Sequence, residues 1–188
     1  MLDRALDPRA ATLMAAYVWY AAYGSNLWPE RFRCYLEGGT APGSTTSSPG
    51  ARNPAPPQKT ERSSCAHERF YAGESKRWHG GGVAFLASEP GDYETVLRLY
   101  LITTEQFEDV FAQENGLDSP ISLDLATLAN AGHLDATDRW YGRLIDLGTH
   151  ADGHQIVTFT AADPPPRNPP HASYRATITR GEASLDQT

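Results

Sequence analysis

The part of the chain best suited to chemistry is a short turn near the N-terminus. Its residues are Tyr23, Gly24, Ser25 and Asn26. The turn lies between a segment typical of a buried strand (17–23) and a segment typical of a helix (28–37). Glycine permits close approach of a ligand to the backbone, and N–H groups at a helix start suit a carboxylate or an oxyanion. An ordinary capped turn explains the same residues, so the turn alone decides nothing.

A second candidate is a carboxylate at the end of a predicted helix. The spacing predicts this helix over 103–114, with clear start and stop signals. Thr103 and Gln106 form a capping-box pattern at its start, and Asn115-Gly116 provides a stop. Glu114 occupies position i+7 of the apolar stripe. The stripe is formed by Phe107, Val110 and Phe111.

The helical spacing therefore predicts that Glu114 faces the core, whereas Glu105, Glu108 and Asp109 are expected to be solvated. A buried carboxylate is costly unless it is paired, and the end of a helix disfavours an anion further. Such a group suits proton transfer. The alternative is that Glu114 turns out to solvent at a frayed helix end, and the helical spacing does not decide between the two.

The remaining pattern predicts a single α+β domain over 15–182, with residues 1–14 as a mobile tail. Further strands are predicted at 68–74, 82–87, 94–102, 140–147 and 155–160, and helices at 121–131, with Ser122 as a cap, and 172–179. The Pro/Ser/Gly-rich segment 38–65 is predicted to be a long loop, either a lid or a mobile surface segment. We expect a small mixed or antiparallel β-barrel with flanking helices.

Composition excludes several classes of protein. The 188 residues carry a formal net charge of -7, which argues against a nucleic-acid partner. No apolar run approaches the roughly 20 residues that span a bilayer, so no membrane association is expected. The N-terminus lacks the features of a secretion signal, and we expect a cytoplasmic protein. Cys34 and Cys65 are too few for a disulfide scaffold, and whether they pair stays open, as does the oligomeric state.

Three stretches resemble the γ-glutamyl cyclotransferase-like family. Residues 20–27 (Tyr-Ala-Ala-Tyr-Gly-Ser-Asn-Leu) closely resemble the signature at the end of its first strand. Residues 107–116 resemble the segment that carries its catalytic glutamate, here Glu114. Residues 170–174 resemble, more weakly, a motif that opens a late helix. The resemblance covers roughly residues 17–180 and implies a small β-barrel with flanking helices.

The chain also departs from the family pattern. Ala21 stands where the family often has Phe, and Asn115 replaces the glycine that often follows the glutamate. The segment 38–65 is longer than in compact members, and 70–82 is particular to a subgroup. These departures leave the identity of the substrate and of its leaving group open.

The resemblance implies cleavage of a γ-glutamyl amide C–N bond by intramolecular cyclisation, which releases 5-oxoproline and an amine or amino acid. Glu114 would be the catalytic general acid and base. The residues expected to bind the small-molecule substrate are Tyr20, Tyr23, Gly24, Ser25, Asn26 and Tyr174. No metal and no organic cofactor is needed for this lyase-type reaction, because the nucleophile is part of the substrate.

The sequence disfavours some other functions and leaves others open. Ser25 is a poor candidate for a nucleophile, because the second glycine of a nucleophile elbow is missing. The six histidines show no H-E-x-x-H spacing, which disfavours a metal site. A non-catalytic small-molecule binding module on the same fold stays open, as does an enzyme that trims γ-glutamyl amides in small-molecule biosynthesis. The position of Glu114 relative to the turn discriminates between catalysis and simple binding.

Overall fold

A computed structural model describes residues 17–42, 44 and 46–187, so the predicted tail at 1–14 lies outside the described residues. The strands are β1 Tyr17–Ala22, β2 Gly39–Thr40, β3 Ser47–Ser48, β4 Lys59–Ala72, β5 Val83–Thr103, β6 His133–Asp135, β7 Arg143–Thr149 and β8 Gln155–Thr160. The α-helices are α1 Pro29–Glu37, α2 Thr104–Asn115, α3 Leu125–Ala131 and α4 Ala172–Ala183. Short 3₁₀ turns lie at Ser25–Leu27, Lys76–Trp78 and Ser184–Gln187.

The main sheet has six strands in the order β4-β5-β1-β8-β7-β6. β1 pairs with β8 in parallel, and the other neighbours are antiparallel. The α+β prediction is confirmed. The sheet is mixed, as predicted, but the predicted β-barrel does not close. The strands β4 and the three-residue β6 are edge strands with no ladder between them in the described part of the chain.

The sheet nevertheless curls strongly. Register shifts in β4 between Cys65 and Arg69 bend the long β4–β5 pair. The bend brings Leu86 of β5 against Thr160 of β8. The Thr160 hydroxyl donates to the Leu86 carbonyl at 2.7 Å and accepts from the Leu86 N–H at 3.0 Å. One side chain thus bridges two strands, β5 and β8, that share no ladder in the described part of the chain.

β1 is buried on both faces, which explains its aromatic and alanine-rich sequence. Trp19, Ala21 and Tyr23 point into an apolar cluster that α4 covers. Val18 and Tyr20 point into a second cluster, covered by α1 and α2. The strand therefore ends between two packed layers, and the turn that follows it is held from both sides.

The predicted loop at 38–65 is wrong from Lys59 onward, where β4 begins. The start of this strand is polar and lies at the edge of the sheet, so it shows no clear apolar alternation. The Pro-rich part before it is held by α2. Gln106 donates to the carbonyls of Asn53 and Ala55 at 3.0 and 2.8 Å. Asp109 accepts from the N–H and the side chain of Arg52, both at 2.8 Å.

Asp109 is consequently buried, at 3% exposure, although the helical spacing predicted a solvated charge. Glu105 is exposed, as predicted, and Glu108 is partly buried. Helical spacing identifies the apolar stripe of α2, but it contains no sign that Arg52, 57 residues earlier in the chain, covers the flank of the helix at Asp109.

Several element boundaries also differ from those predicted. The two strands predicted over 82–102 form one strand, β5. α3 begins after Asp124, whose carboxylate accepts from the Thr127 N–H at 2.9 Å, so Ser122 is not its cap. β7 begins at Arg143 rather than at Trp140. α4 continues past Gly181, where a Cβ would lie 2.6 Å from Leu27. Cys34 and Cys65 are both free.

The tip of the β7–β8 hairpin is joined to β4 by a histidine between two carboxylates. His150 Nε2 lies 3.1 Å from Glu61 Oε2, and its Nδ1 lies 3.0 Å from Asp152 Oδ1. The Trp19 indole N–H donates to Asp152 at 3.0 Å, and its ring packs 4.6 Å from that of His150. This cluster connects strands that are not neighbours in the sheet.

Candidate active site

A cavity of about 210 Å³ opens between the end of β1, the end of α2 and the start of α4. All seven residues proposed from the sequence line it. They are Tyr20, Tyr23, Gly24, Ser25, Asn26, Glu114 and Tyr174. The fold thus brings the turn, the late tyrosine and the helix-end carboxylate to one place.

The backbone of the turn is fixed by a hydrogen bond to every carbonyl from Tyr23 to Leu27. The donors are the Arg69 side chain to Tyr23, the Leu27 N–H to Gly24, the Trp28 N–H to Ser25, the Tyr100 hydroxyl to Asn26 and the Arg98 side chain to Leu27. By contrast, the N–H groups of Ser25 and Asn26 meet no acceptor among the described residues. They are the first N–H groups of the 3₁₀ turn, which are unpaired by construction. The carbonyls are occupied and the N–H groups are not, so the turn suits an anion.

Glu114 points into this cavity. Its Oε1 accepts from Asn26 Nδ2 at 3.0 Å. The same amide group donates to the Tyr20 hydroxyl at 3.2 Å, and Asn26 Oδ1 has no partner among the described residues. The carboxylate is therefore within reach of the turn across a pocket, which settles the alternative of a side chain turned out to solvent.

Both ends of α2 are anchored, which fixes the position of Glu114. The predicted capping box is confirmed, with Thr103 and Gln106 bonded reciprocally at 3.0 and 3.1 Å. Gly116 ends the helix in the left-handed conformation, at φ 59°. Asn115, which departs from the family pattern, donates to the Tyr141 carbonyl at 3.2 Å and accepts its N–H at 3.0 Å. The asparagine thus joins the helix end to the segment that forms the far wall of the cavity.

Burial raises the pKa values of the tyrosine hydroxyls in the cavity. Burial raises the pKa of Tyr174 to about 12, against hydrogen bonding from the Ala84 N–H at 3.0 Å. Burial raises the pKa of Tyr23 further, and its hydroxyl donates to the Phe159 carbonyl at 2.7 Å. Burial, with the charge of Glu114, also raises the pKa of Tyr20 well above its ordinary value. These raised pKa values make the three hydroxyls poor bases near neutral pH.

Gly24 is favoured by close packing rather than by its φ angle. A Cβ at this position would lie 3.0 Å from the Tyr174 hydroxyl and 3.3 Å from the Ala84 Cβ. The turn, α4 and β5 therefore meet at one glycine, which explains why Tyr174 belongs to the site.

Further residues line the cavity that were not predicted from the sequence. They are Arg31, Ser75, Arg77, Trp78, Val83, Ala84, Gln113, Trp140, Tyr141 and Phe159. Arg31 is the most unusual of them, because it is a charged residue with only 4% exposure. One signal could have found it: Arg31 lies four residues before Tyr35, on the buried side of α1. The same test of a charge on an apolar face had identified Glu114.

No group of three or more His, Cys, Asp or Glu side chains in the described part of the chain is placed to hold a metal ion. In the same part of the chain, no helix is long and apolar enough to cross a bilayer.

Comparison with known structures places the chain in a fold class. It superposes on γ-glutamyl cyclotransferase with a TM-score of 0.51 and 18% identity, covering 90% of this chain and 80% of that one. An uncharacterised human protein gives a TM-score of 0.52 with 18% identity and the same coverage. YkqA from Bacillus subtilis gives 0.51 with 16% identity, covering 93% of this chain and 51% of that one. The chain has the γ-glutamyl cyclotransferase-like fold.

Comparison of sequences gives a relative that is not among these structures. The chain is 38% identical over 191 residues to part of histone deacetylase 5 from Arabidopsis thaliana. The match covers 91% of this chain and 29% of that protein, so the chain spans less than a third of the relative's length. No protein-family model matches the chain.

Proposed function

We propose that the protein cleaves a γ-glutamyl amide by intramolecular cyclisation, releasing 5-oxoproline and an amine or amino acid. The proposal rests above all on one contact, the hydrogen bond between Asn26 and Glu114 across the cavity. It joins the two parts of the chain that resemble the family's signature and its catalytic segment. The fold shared with γ-glutamyl cyclotransferase supports the same assignment.

In this reaction the substrate's α-amine attacks its own γ-carbonyl carbon. A new N–C bond closes a five-membered ring, and the C–N bond to the leaving amine breaks. Because nucleophile and electrophile belong to one molecule, the enzyme needs only to hold the chain folded and to move protons. Glu114 accepts a proton from the α-ammonium group and returns it to the leaving nitrogen.

The turn supplies the electrostatic stabilisation that the reaction needs. Its unpaired N–H groups at Ser25 and Asn26 suit the oxyanion that forms on the γ-carbonyl oxygen. The five occupied carbonyls keep the turn rigid, so these donors need no reorganisation during the reaction. Ser25 takes part through its backbone and is not a nucleophile.

The test is an assay for 5-oxoproline with a panel of γ-glutamyl amino acids, peptides and alkylamines. We expect at least one substrate to give 5-oxoproline and its amine in equal amounts. Glu114→Gln preserves the size of the side chain and its contact with Asn26, and should lower kcat by about 100-fold or more. Glu105→Gln, an exposed carboxylate on the same helix, is the matched control and should leave kcat unchanged.

Two results would contradict the proposal. One is full activity in Glu114→Gln, which would remove the carboxylate from the mechanism. The other is no 5-oxoproline from any member of the panel under conditions in which the protein is folded. The panel also separates general γ-glutamyl turnover from the trimming of a specific biosynthetic amide, because the latter predicts preference for one leaving amine.

A second candidate function is a binding module that holds a small anionic molecule without turnover. One observation favours it: the sequence relative is a longer protein, and this chain matches 29% of it, as expected of a module joined to other segments. The module predicts binding of 5-oxoproline or a γ-glutamyl compound that Glu114→Gln preserves, with no product formed.

A further inference from the structure

Arg31 is a buried cation that faces the cavity and has no carboxylate partner among the described residues. Its side chain is held by neutral groups. Nε donates to the Ser25 hydroxyl at 3.3 Å and Nη2 donates to the Tyr35 hydroxyl at 3.2 Å. Arg31 and Glu114 both act on the Tyr35 hydroxyl, but they form no direct ion pair with each other. A buried guanidinium group without a direct ion pair is unfavourable, so the site favours a ligand whose anion contacts Arg31 directly.

The guanidinium group is fixed in place before any ligand binds. Its Cζ lies 5.4 Å from the centre of the Tyr35 ring and 5.8 Å from that of Trp78. These cation–π contacts and the two hydrogen bonds restrain the side chain, which reduces the entropy lost on binding. Nη1 makes no hydrogen bond within the described structure, and a guanidinium fork with free N–H groups matches a carboxylate.

We infer that Arg31 forms the subsite for the α-carboxylate of the γ-glutamyl group. This inference rests on the proposed function. It assigns the α-carboxylate and the oxyanion of the substrate to different parts of the site. With the carboxylate on Arg31, the backbone N–H groups of Ser25 and Asn26 stay available for the oxyanion. The contact of Arg31 with Ser25 places the two subsites side by side, and Glu114 contacts Asn26 of the same turn.

The carboxylate subsite also sets specificity. Cyclisation itself needs only an amine and a carbonyl at the right spacing, so an analogue without the α-carboxylate is chemically competent. The protein discriminates against it because such an analogue leaves Arg31 buried and unpaired. Charge-assisted hydrogen bonds of this kind contribute a preference of about 10- to 100-fold.

The experiment compares two ligands that differ only in the carboxylate, 5-oxoproline and 2-pyrrolidinone. Dissociation constants are measured by titration with NMR detection on the full chain. We expect the wild type to bind 5-oxoproline about 10- to 100-fold more tightly than 2-pyrrolidinone. Arg31→Met should abolish this preference by weakening 5-oxoproline alone, whereas Arg33→Met, an exposed arginine on the same helix, should retain it.

Equal binding of the two ligands by the wild type, or no binding of 5-oxoproline, overturns the inference without any variant. A preference that survives Arg31→Met also overturns it. Arg31→Lys keeps the charge and should keep part of the preference, which covers the case in which the Met variant does not fold. Turnover of γ-glutamyl substrates is measured in parallel: Arg31-dependent binding without turnover contradicts the cyclisation and not the subsite.

Discussion

Asn26 Nδ2 donates a hydrogen bond to Glu114 Oε1 at 3.0 Å, although 88 positions separate the two residues in the chain. The contact joins the end of the first strand to the end of the helix that packs beside it. Since Asn26 is only 4% exposed and bonds the carboxylate directly, it controls the orientation of the proposed acid and base. Its backbone is fixed independently, by the Tyr100 hydroxyl at 2.8 Å.

Asn26→Ala should lower kcat by about 10- to 100-fold, because a hydrogen bond to a charged group contributes roughly 1.5–3 kcal/mol. KM should change much less, since the backbone that holds the substrate stays in place. Steady-state kinetics on the best substrate of the panel measure the effect. Asn130→Ala removes an exposed asparagine of α3 and is the control. An unchanged kcat in Asn26→Ala would show that the contact has no role in positioning Glu114.

Gly24→Ala tests the close packing behind the turn. The added methyl group would lie 3.0 Å from the Tyr174 hydroxyl, and we expect a loss of about 1–3 kcal/mol in the free energy of unfolding. Tyr174→Phe removes the oxygen, so the double variant should lose less than the sum of the two single changes. Urea unfolding of all four proteins measures this coupling. Additive losses would mean that the methyl group is accommodated elsewhere.

Asp109→Ala tests the attachment of the Pro-rich segment to α2. It leaves the Arg52 N–H without its acceptor, and should lower the free energy of unfolding by about 1–3 kcal/mol. Glu105→Ala removes a neighbouring carboxylate that is half-exposed and lies 3.7 Å from Arg52, and should cost less than about 0.5–1 kcal/mol. Chemical denaturation measures both. Equal losses in the two variants would contradict the buried pairing.

His150 should make stability depend on pH. Burial opposes its protonation, but hydrogen bonds to Asp152 and Glu61 outweigh this effect and raise its pKa above 6.5. The stabilisation is therefore complete below about pH 6.5 and is lost as the pH rises through the raised value. Burial opposes ionisation of Asp152, yet hydrogen bonds from His154, His150 and Trp19 lower its pKa to about 2, so Asp152 stays ionised throughout.

The measurement is the free energy of unfolding between pH 5.5 and 9, followed by tryptophan fluorescence because Trp19 packs on His150. The wild type should lose stability across this range, and His150→Gln should flatten the curve. His133→Gln, at an exposed position in β6, should leave its shape unchanged. A flat wild-type curve would contradict the raised pKa.

The sequence was most informative where a local pattern and its tertiary role coincide. The capping box at Thr103 is decided by four neighbouring residues, and it formed as predicted. Glu114 was located by helical spacing because the stripe it extends is packed against the sheet. Arg31 obeys the same rule, because it lies on the buried face of α1 beside Phe32 and Tyr35.

The rest could not be predicted because it depends on partners far away in the chain. Asp109 is buried only because Arg52 and its neighbours lie over it. The start of β4 at Lys59 is held by pairing with the backbone of β5. The polar side chains at the start of β4 give no sign of this pairing. Closure of the barrel depends on whether two edge strands meet, and the pattern within each strand does not contain that information.

The most direct test of the proposed reaction follows the atoms. A γ-glutamyl substrate labelled with ¹⁵N at its α-amine is converted in water enriched in ¹⁸O, and the products are identified by mass spectrometry. Cyclisation predicts that all the ¹⁵N is found in 5-oxoproline and that no ¹⁸O enters it. Glu114→Gln should form 5-oxoproline far more slowly than the wild type. Release of ¹⁵N-glutamate carrying one ¹⁸O atom would show attack by water and would contradict the proposed mechanism.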